Sequence, residues 1–473
     1  MAEFDAWPLV RGPTRVLRTR ESLARLRGDV ERWLDTRKTD ERFRRFTGHL
    51  DVLETVLTRM LDAVAADMAT LGDGDGPSGA VYEQCRQAER RMSVVRRTHE
   101  WYAAKYDQRI DERAESTLRA ADEVVRSCWA EPFVRTGRRP PTGPLAYLEP
   151  RYDATATPRV SVPPDLRAAG DEVIGQFVRE LPIPVVALPS VSTADPWWLV
   201  LAAHETGHHV QLDLVPGLDQ VTRDALLTAM STAPGDDELA IAWSGWGLEV
   251  FADAWATLCV GAGAAWAVEE LQHATPSRLV STPTPGDRYP PPAVRTALLG
   301  ELARCAGAAE PGPGADDVTR WLEGVHAGSV SKPARAVVAR HLALTPRAAH
   351  TLVDLPVNGM PLRDVAGWSA TKFAPDGPVH RWAAQLVQPE PVIPGRGELV
   401  AARLGIAAGV LAYRTTASAG DGTIARVRTN LPTLLASCGP PGVLAAEPAA
   451  DVGALADRLT SLLLAASDTG GSS

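Results

Sequence analysis

The segment WWLVLAAHETGHHVQL, residues 197–212, places the strongest constraint on what this chain can fold into. Its apolar flanks predict a helix packed into a core. It nevertheless carries two imidazoles and a carboxylate, which are costly to bury without partners. Residues four apart lie on one helical face, so His204 and His208 present two nitrogens to one point, as a metal ion requires. Glu205 stands one step round the helix beside that point, and Gly207 leaves the face uncrowded. The preceding Ser192-Thr-Ala-Asp195-Pro196 predicts a helix start, with Asp195 as N-cap and Pro196 at the first helical position.

A zinc ion held by two histidines needs a third protein ligand, the fourth position being left to water. The best candidate is Glu249, 41 residues after His208 in Gly247-Leu-Glu249-Val-Phe-Ala-Asp253. Asp253 lies one turn further on the same face, where it can accept the remaining N–H of a ligand histidine. Two carboxylates so placed on an apolar helix repel each other unless something positive stands between them. A metal centre supplies that charge; salt bridges to arginines are the other way to supply it. Competing third ligands are weaker. His209 points about 100° away from His208, Asp236, Asp237 and Glu238 belong to a predicted solvated turn, and His273 is the fallback.

The pair HETGH at 204–208 and EVFAD at 249–253 resembles the gluzincins, the HExxH zinc metallopeptidases that include thermolysin. The resemblance implies that His204, His208 and Glu249 are zinc ligands. It implies Glu205 as the catalytic base, Asp253 as the residue orienting a ligand, and a zincin-like catalytic core that hydrolyses peptide bonds. Gluzincins often stabilise the oxyanion with a Tyr or His. Tyr289 and Arg295, in Tyr289-Pro-Pro-Pro-Ala-Val-Arg295, are candidates here, with His273 and His326 behind them. A peptide substrate would lie along an edge strand before the motif helix, offered by Ile183–Leu188 or Leu145–Glu149. Two further readings stay open: a zinc-binding interaction scaffold without turnover, and a metal-dependent hydrolase of a non-peptide amide.

Elsewhere the pattern is mostly helical, giving a mainly α fold with a small β-sheet (α+β). Phe43, Phe46, Leu50, Leu53, Leu57, Met60 and Val64 recur at spacings of three and four, an a/d seam. With a turn over Leu71–Ala80 and a helical run from Val81 to Ala130, this predicts a long-helix hairpin over 1–136 that packs against the rest of the chain, with a partner or self-association as the alternative. The catalytic core is expected over 137–275, with strands at 145–149, 159–162 and 183–188 and a long apolar helix over 241–271. A helical region follows over 276–465, with helices near 292–306, 316–327, 333–352, 397–413, 422–437 and 448–465. A frayed tail covers 466–473.

With 49 basic and 58 acidic residues, nucleic acid is not an expected partner; a protein or peptide substrate is. The opening residues reach no apolar run and no stretch is long enough to span a bilayer, so a cytoplasmic chain without a membrane partner is expected. Five scattered cysteines predict buried thiols and no zinc knuckle. The sequence has no GxxxxGK[ST] loop and no GxSxG elbow.

Overall fold

A computed structural model describes residues 12–72, 78–151, 154–157, 181–231, 237–308, 312–326, 328–416, 421–439 and 449–466. The chain divides into two compact units. One comprises Met1–Ile110, Thr157–Pro184 and Gly442–Ser473; the other comprises Asp111–Ala156 and Val185–Pro441.

The first unit is helical. Its helices are α1 (Gly12–Thr39), α2 (Thr47–Thr70) and α3 (Ser78–Asp107), joined by the helix Ala449–Ala466, which packs along α2. Every residue of the predicted seam is buried. It meets a second seam on α1, where Val16, Leu23, Leu26, Val30 and Leu34 are also buried. The sequence predicts one helix from Val81 to Ala130, but the run is cut at Asp111. The Asp111 carboxylate accepts from Arg113 N at 3.0 Å and caps a new helix, α4 (Glu112–Arg135), in the second unit. The centre of the predicted turn, 73–77, lies outside the described residues, as do the predicted strand 159–162 and the tail from 467.

In the second unit β1 (Leu145–Glu149), β2 (Thr155–Thr157) and β3 (Val185–Pro189) form a sheet in the order β1-β3-β2. Strands β1 and β3 run parallel, Leu145 opposite Val185 and Glu149 opposite Pro189. β3 is wholly buried and lies between two neighbours, so it cannot offer the edge expected of Ile183–Leu188. The edges are β1 and β2.

The motif helix starts later than predicted. Pro196–Val200 is a 3₁₀ turn, and α5 runs from Leu201 to Asp213. Asp195 does not cap it with its side chain, because its carboxylate takes hydrogen bonds from Arg428 instead, Nε standing 3.0 Å away. After α6 (Leu218–Met230), the predicted apolar helix over 241–271 is three helices: α7 (Asp237–Gly245), α8 (Gly247–Val260) and α9 (Ala262–Gln272). The second break is Gly261, with φ of +58° and a position where a Cβ would lie 2.8 Å from the Phe373 ring. Then comes α10 (Pro292–Cys305). The predicted 333–352 helix is split at Ala343-Leu344 into Lys332–Leu342 and Thr345–Val353, the second carrying Pro346 in its first turn, and Pro378–Leu386 adds a helix that the sequence pattern does not single out. The five cysteines carry free thiols, four of them buried and Cys305 half-buried. Among the described residues no helix is long and apolar enough to cross a membrane.

His341 gives this unit an acid-sensitive core. Its ring is 2% exposed, packed 5.0 Å from the Trp246 ring and 6.3 Å from that of Trp243. Burial, with Arg340 nearby, lowers its pKa from the usual 6.5 to about 4. The unfolded chain therefore binds the proton first as pH falls. The stabilisation from keeping this ring neutral is complete above pH 6.5 and lost on the way down to about 4, an effect of about 3 kcal/mol. Urea titrations at pH 7 and pH 4.5 should show the wild type losing more stability than His341→Leu over that interval. Equal losses in the two proteins would contradict this assignment.

Candidate metal centre

Helices α5 and α8 pack against each other, and Gly207 sets how closely. A Cβ there would lie 3.0 Å from Ala252 Cα and 3.1 Å from Trp255 Cβ. The glycine thus brings the HETGH face onto the face carrying Glu249 and Asp253. Gly207→Val should force the helices apart, costing about 1–3 kcal/mol and weakening metal binding together with stability. A thermal melt and a metal titration on the same preparation check this. A variant with wild-type affinity would show that the spacing is not set here.

One ligand atom each from His204, His208 and Glu249 lie within 4.8 Å of one another. Glu249 Oε2 stands 3.4 Å from His204 Nε2 and 3.5 Å from His208 Nε2. Tetrahedral zinc with bonds near 2.0–2.1 Å needs ligand atoms separated by about 3.3–3.4 Å. The Glu249 side chain is fully buried, and Oε2 has no hydrogen-bond partner within the protein. Burial pushes its carboxyl up, but the two imidazoles outweigh that and hold it well below the usual carboxylate range.

Asp253 is also buried. Its Oδ1 lies 3.0 Å from His204 Nδ1, so the two carboxylates of α8 flank one imidazole, one on each ring nitrogen. Burial alone would lower the His204 pKa, yet Asp253 and Glu249 together raise it to about 9. Arg295, buried on α10, donates Nε to Asp253 Oδ2 and a terminal nitrogen to Oδ1, both at 2.7 Å. Against the upward push of burial, that guanidinium keeps the Asp253 carboxyl below its ordinary value. Arg295, expected from the sequence as a candidate oxyanion donor, is thus committed to Asp253.

A cavity of about 360 Å³ opens beside His204 and Glu205, with Tyr289 and Arg295 on its wall. Much of its lining is apolar and comes from α8 and α9, including Ala256, Ala264, Ala267 and Val268. Tyr289 is 41% exposed; burial of its hydroxyl, and then the Glu249 charge, push its pKa up to about 12. The Arg295 guanidinium lies 5.0 Å from the Tyr289 ring.

The other sequence candidates stand apart. His209 is fully buried, with Nε2 3.1 Å from Val185 O, and so ties α5 to β3 instead of facing solvent or a metal. His273, His326, Asp237 and Glu238 are exposed, and Asp236 lies outside the described residues. Sequence reasoning missed Arg288, whose Nε donates to Glu249 Oε1. Its only signal was its place directly before Tyr289, one residue outside the segment singled out.

No protein-family model, curated protein or solved structure matches this chain. The likeness to gluzincins therefore rests on the two motifs and on the buried His204, His208 and Glu249 group they bring together.

Proposed function

We propose that this chain is a zinc-dependent peptidase in which His204, His208 and Glu249 hold the ion and Glu205 is the general base. One observation carries the reading. Glu249 Oε2 is buried without a hydrogen-bond partner at a tetrahedral-edge distance from two imidazole nitrogens. Arg288 meets the other oxygen, Oε1, so what is left over is the Oε2 edge that faces the two imidazoles, and a cation there would give that buried oxygen its partner. Two imidazoles and one carboxylate suit zinc, whereas calcium and magnesium favour oxygen donors throughout.

When bound, the ion supplies Lewis acidity, lowering the pKa of water to about 7 and polarising a substrate carbonyl. Glu205, on the cavity wall, takes the proton of the attacking water and returns it to the leaving amine. Asp253 Oδ1, 3.0 Å from His204 Nδ1, orients the ring by its charge, which leaves Nε2 as the donor atom for the ion. Arg295 keeps Asp253 ionised and in place. Tyr289, its phenol protonated at neutral pH, is the donor for the carbonyl oxygen as it gains charge. Ala154 lines the cavity directly before β2, so an extended peptide paired along that edge would reach the site.

Metal analysis of the purified protein beside digestion of a peptide library tests this. One zinc per chain is expected, with cleavage that chelation stops. Protein free of metal after purification without chelators, or zinc-loaded protein that cuts no peptide, would overturn it.

A further inference from the structure

We infer that Arg288 is a positioning residue that confines Glu249 to binding a cation through one oxygen. The inference rests on the metal centre proposed above. A carboxylate can meet a metal with one oxygen or with both. Here Oε1 accepts the Arg288 Nε–H while Oε2 faces His204 and His208. Bringing Oε1 round to the ion would break a charge-assisted hydrogen bond, among the stronger contacts available to a carboxylate. Arg288 thereby spares one coordination place, the place that water needs in a catalytic site.

The loop is built to hold this donor still. Thr284 donates its backbone N–H and its hydroxyl to the Asp287 carboxylate, each at 2.6 Å, and Asp287 N returns a bond to Thr284 O at 3.0 Å. On the other side Pro290, Pro291 and Pro292 fix φ at three successive residues. The turn and the prolines bracket Arg288 and Tyr289, and the guanidinium rests 5.5 Å from the Tyr289 ring. The Arg288 side chain is 64% exposed, so little packing accounts for its position. Its exposure also means that replacing it should leave the fold intact.

The contact is made by Nε, and this separates two roles. If Arg288 acts through a directed N–H, a glutamine at this position can replace it, because its amide nitrogen stands at the same place along the side chain. If Arg288 acts only as a positive charge, lysine can replace it and glutamine cannot. Cobalt(II) reads coordination number directly, since four-coordinate cobalt absorbs visible light far more strongly than five-coordinate cobalt. The experiment loads wild type, Arg288→Met, Arg288→Gln and Arg288→Lys with cobalt(II) and compares absorbance per bound ion. Wild type and Arg288→Gln should give an intense band and Arg288→Met one severalfold weaker. A wild-type spectrum in cobalt-bound Arg288→Met would overturn the inference and leave the metal centre standing. Rescue by lysine with failure of glutamine would also overturn it. Failure of the wild type to bind cobalt would instead bring down the metal centre itself.

Discussion

Glu205→Gln is expected to keep one metal ion per chain and to lose hydrolysis by about 10²–10⁴-fold in kcat, the range for removing a positioned general base. The substitution preserves size and hydrogen-bonding reach but takes away the proton acceptor. Glu205 lies outside the buried His204, His208 and Glu249 group and lines the cavity, so the ion should not feel the change. Metal content and kcat measured on one preparation separate the outcomes. Retained activity would remove Glu205 as the base. Loss of the ion would make it part of the binding set instead.

The second large effect belongs to Glu249. Glu249→Gln keeps the shape but removes the negative charge that meets both imidazoles. Supporting residues around a metal cost about 10–100-fold in affinity when removed. Glu249→Gln should cost more than that, and Asp253→Asn should fall within it, because Asp253 reaches the ion only through His204. Competition titration with a zinc chelator measures both. Equal losses in the two variants would mean that Glu249 also supports from outside and that the third ligand is another group.

The core of this site was legible because it is written in helical periodicity. His204 and His208 share a face by spacing alone, as do Glu249 and Asp253, and apolar surroundings made all four expensive without partners. Gly207 was readable as a vacancy on the helix face, but its use as the contact point with Ala252 and Trp255 depends on which helix packs there. Arg288 and Arg295 show the limit more sharply. Each pairs with a carboxylate about 40 residues earlier, and nothing in local spacing matches an arginine to its acid. The breaks at Asp111 and Gly261 came from single residues inside patterns that otherwise read as continuous helix. The seam on α2 was plain, whereas the helix at Ala449–Ala466 that packs along it was not assignable, because amphipathic helices do not name their partners.

Anomalous diffraction at the zinc edge, from crystals grown with one equivalent of zinc, tests the metal centre most directly. A single strong peak is expected about 2 Å from His204 Nε2, His208 Nε2 and Glu249 Oε2. A peak elsewhere, or none between those three atoms while zinc is bound in solution, would contradict it.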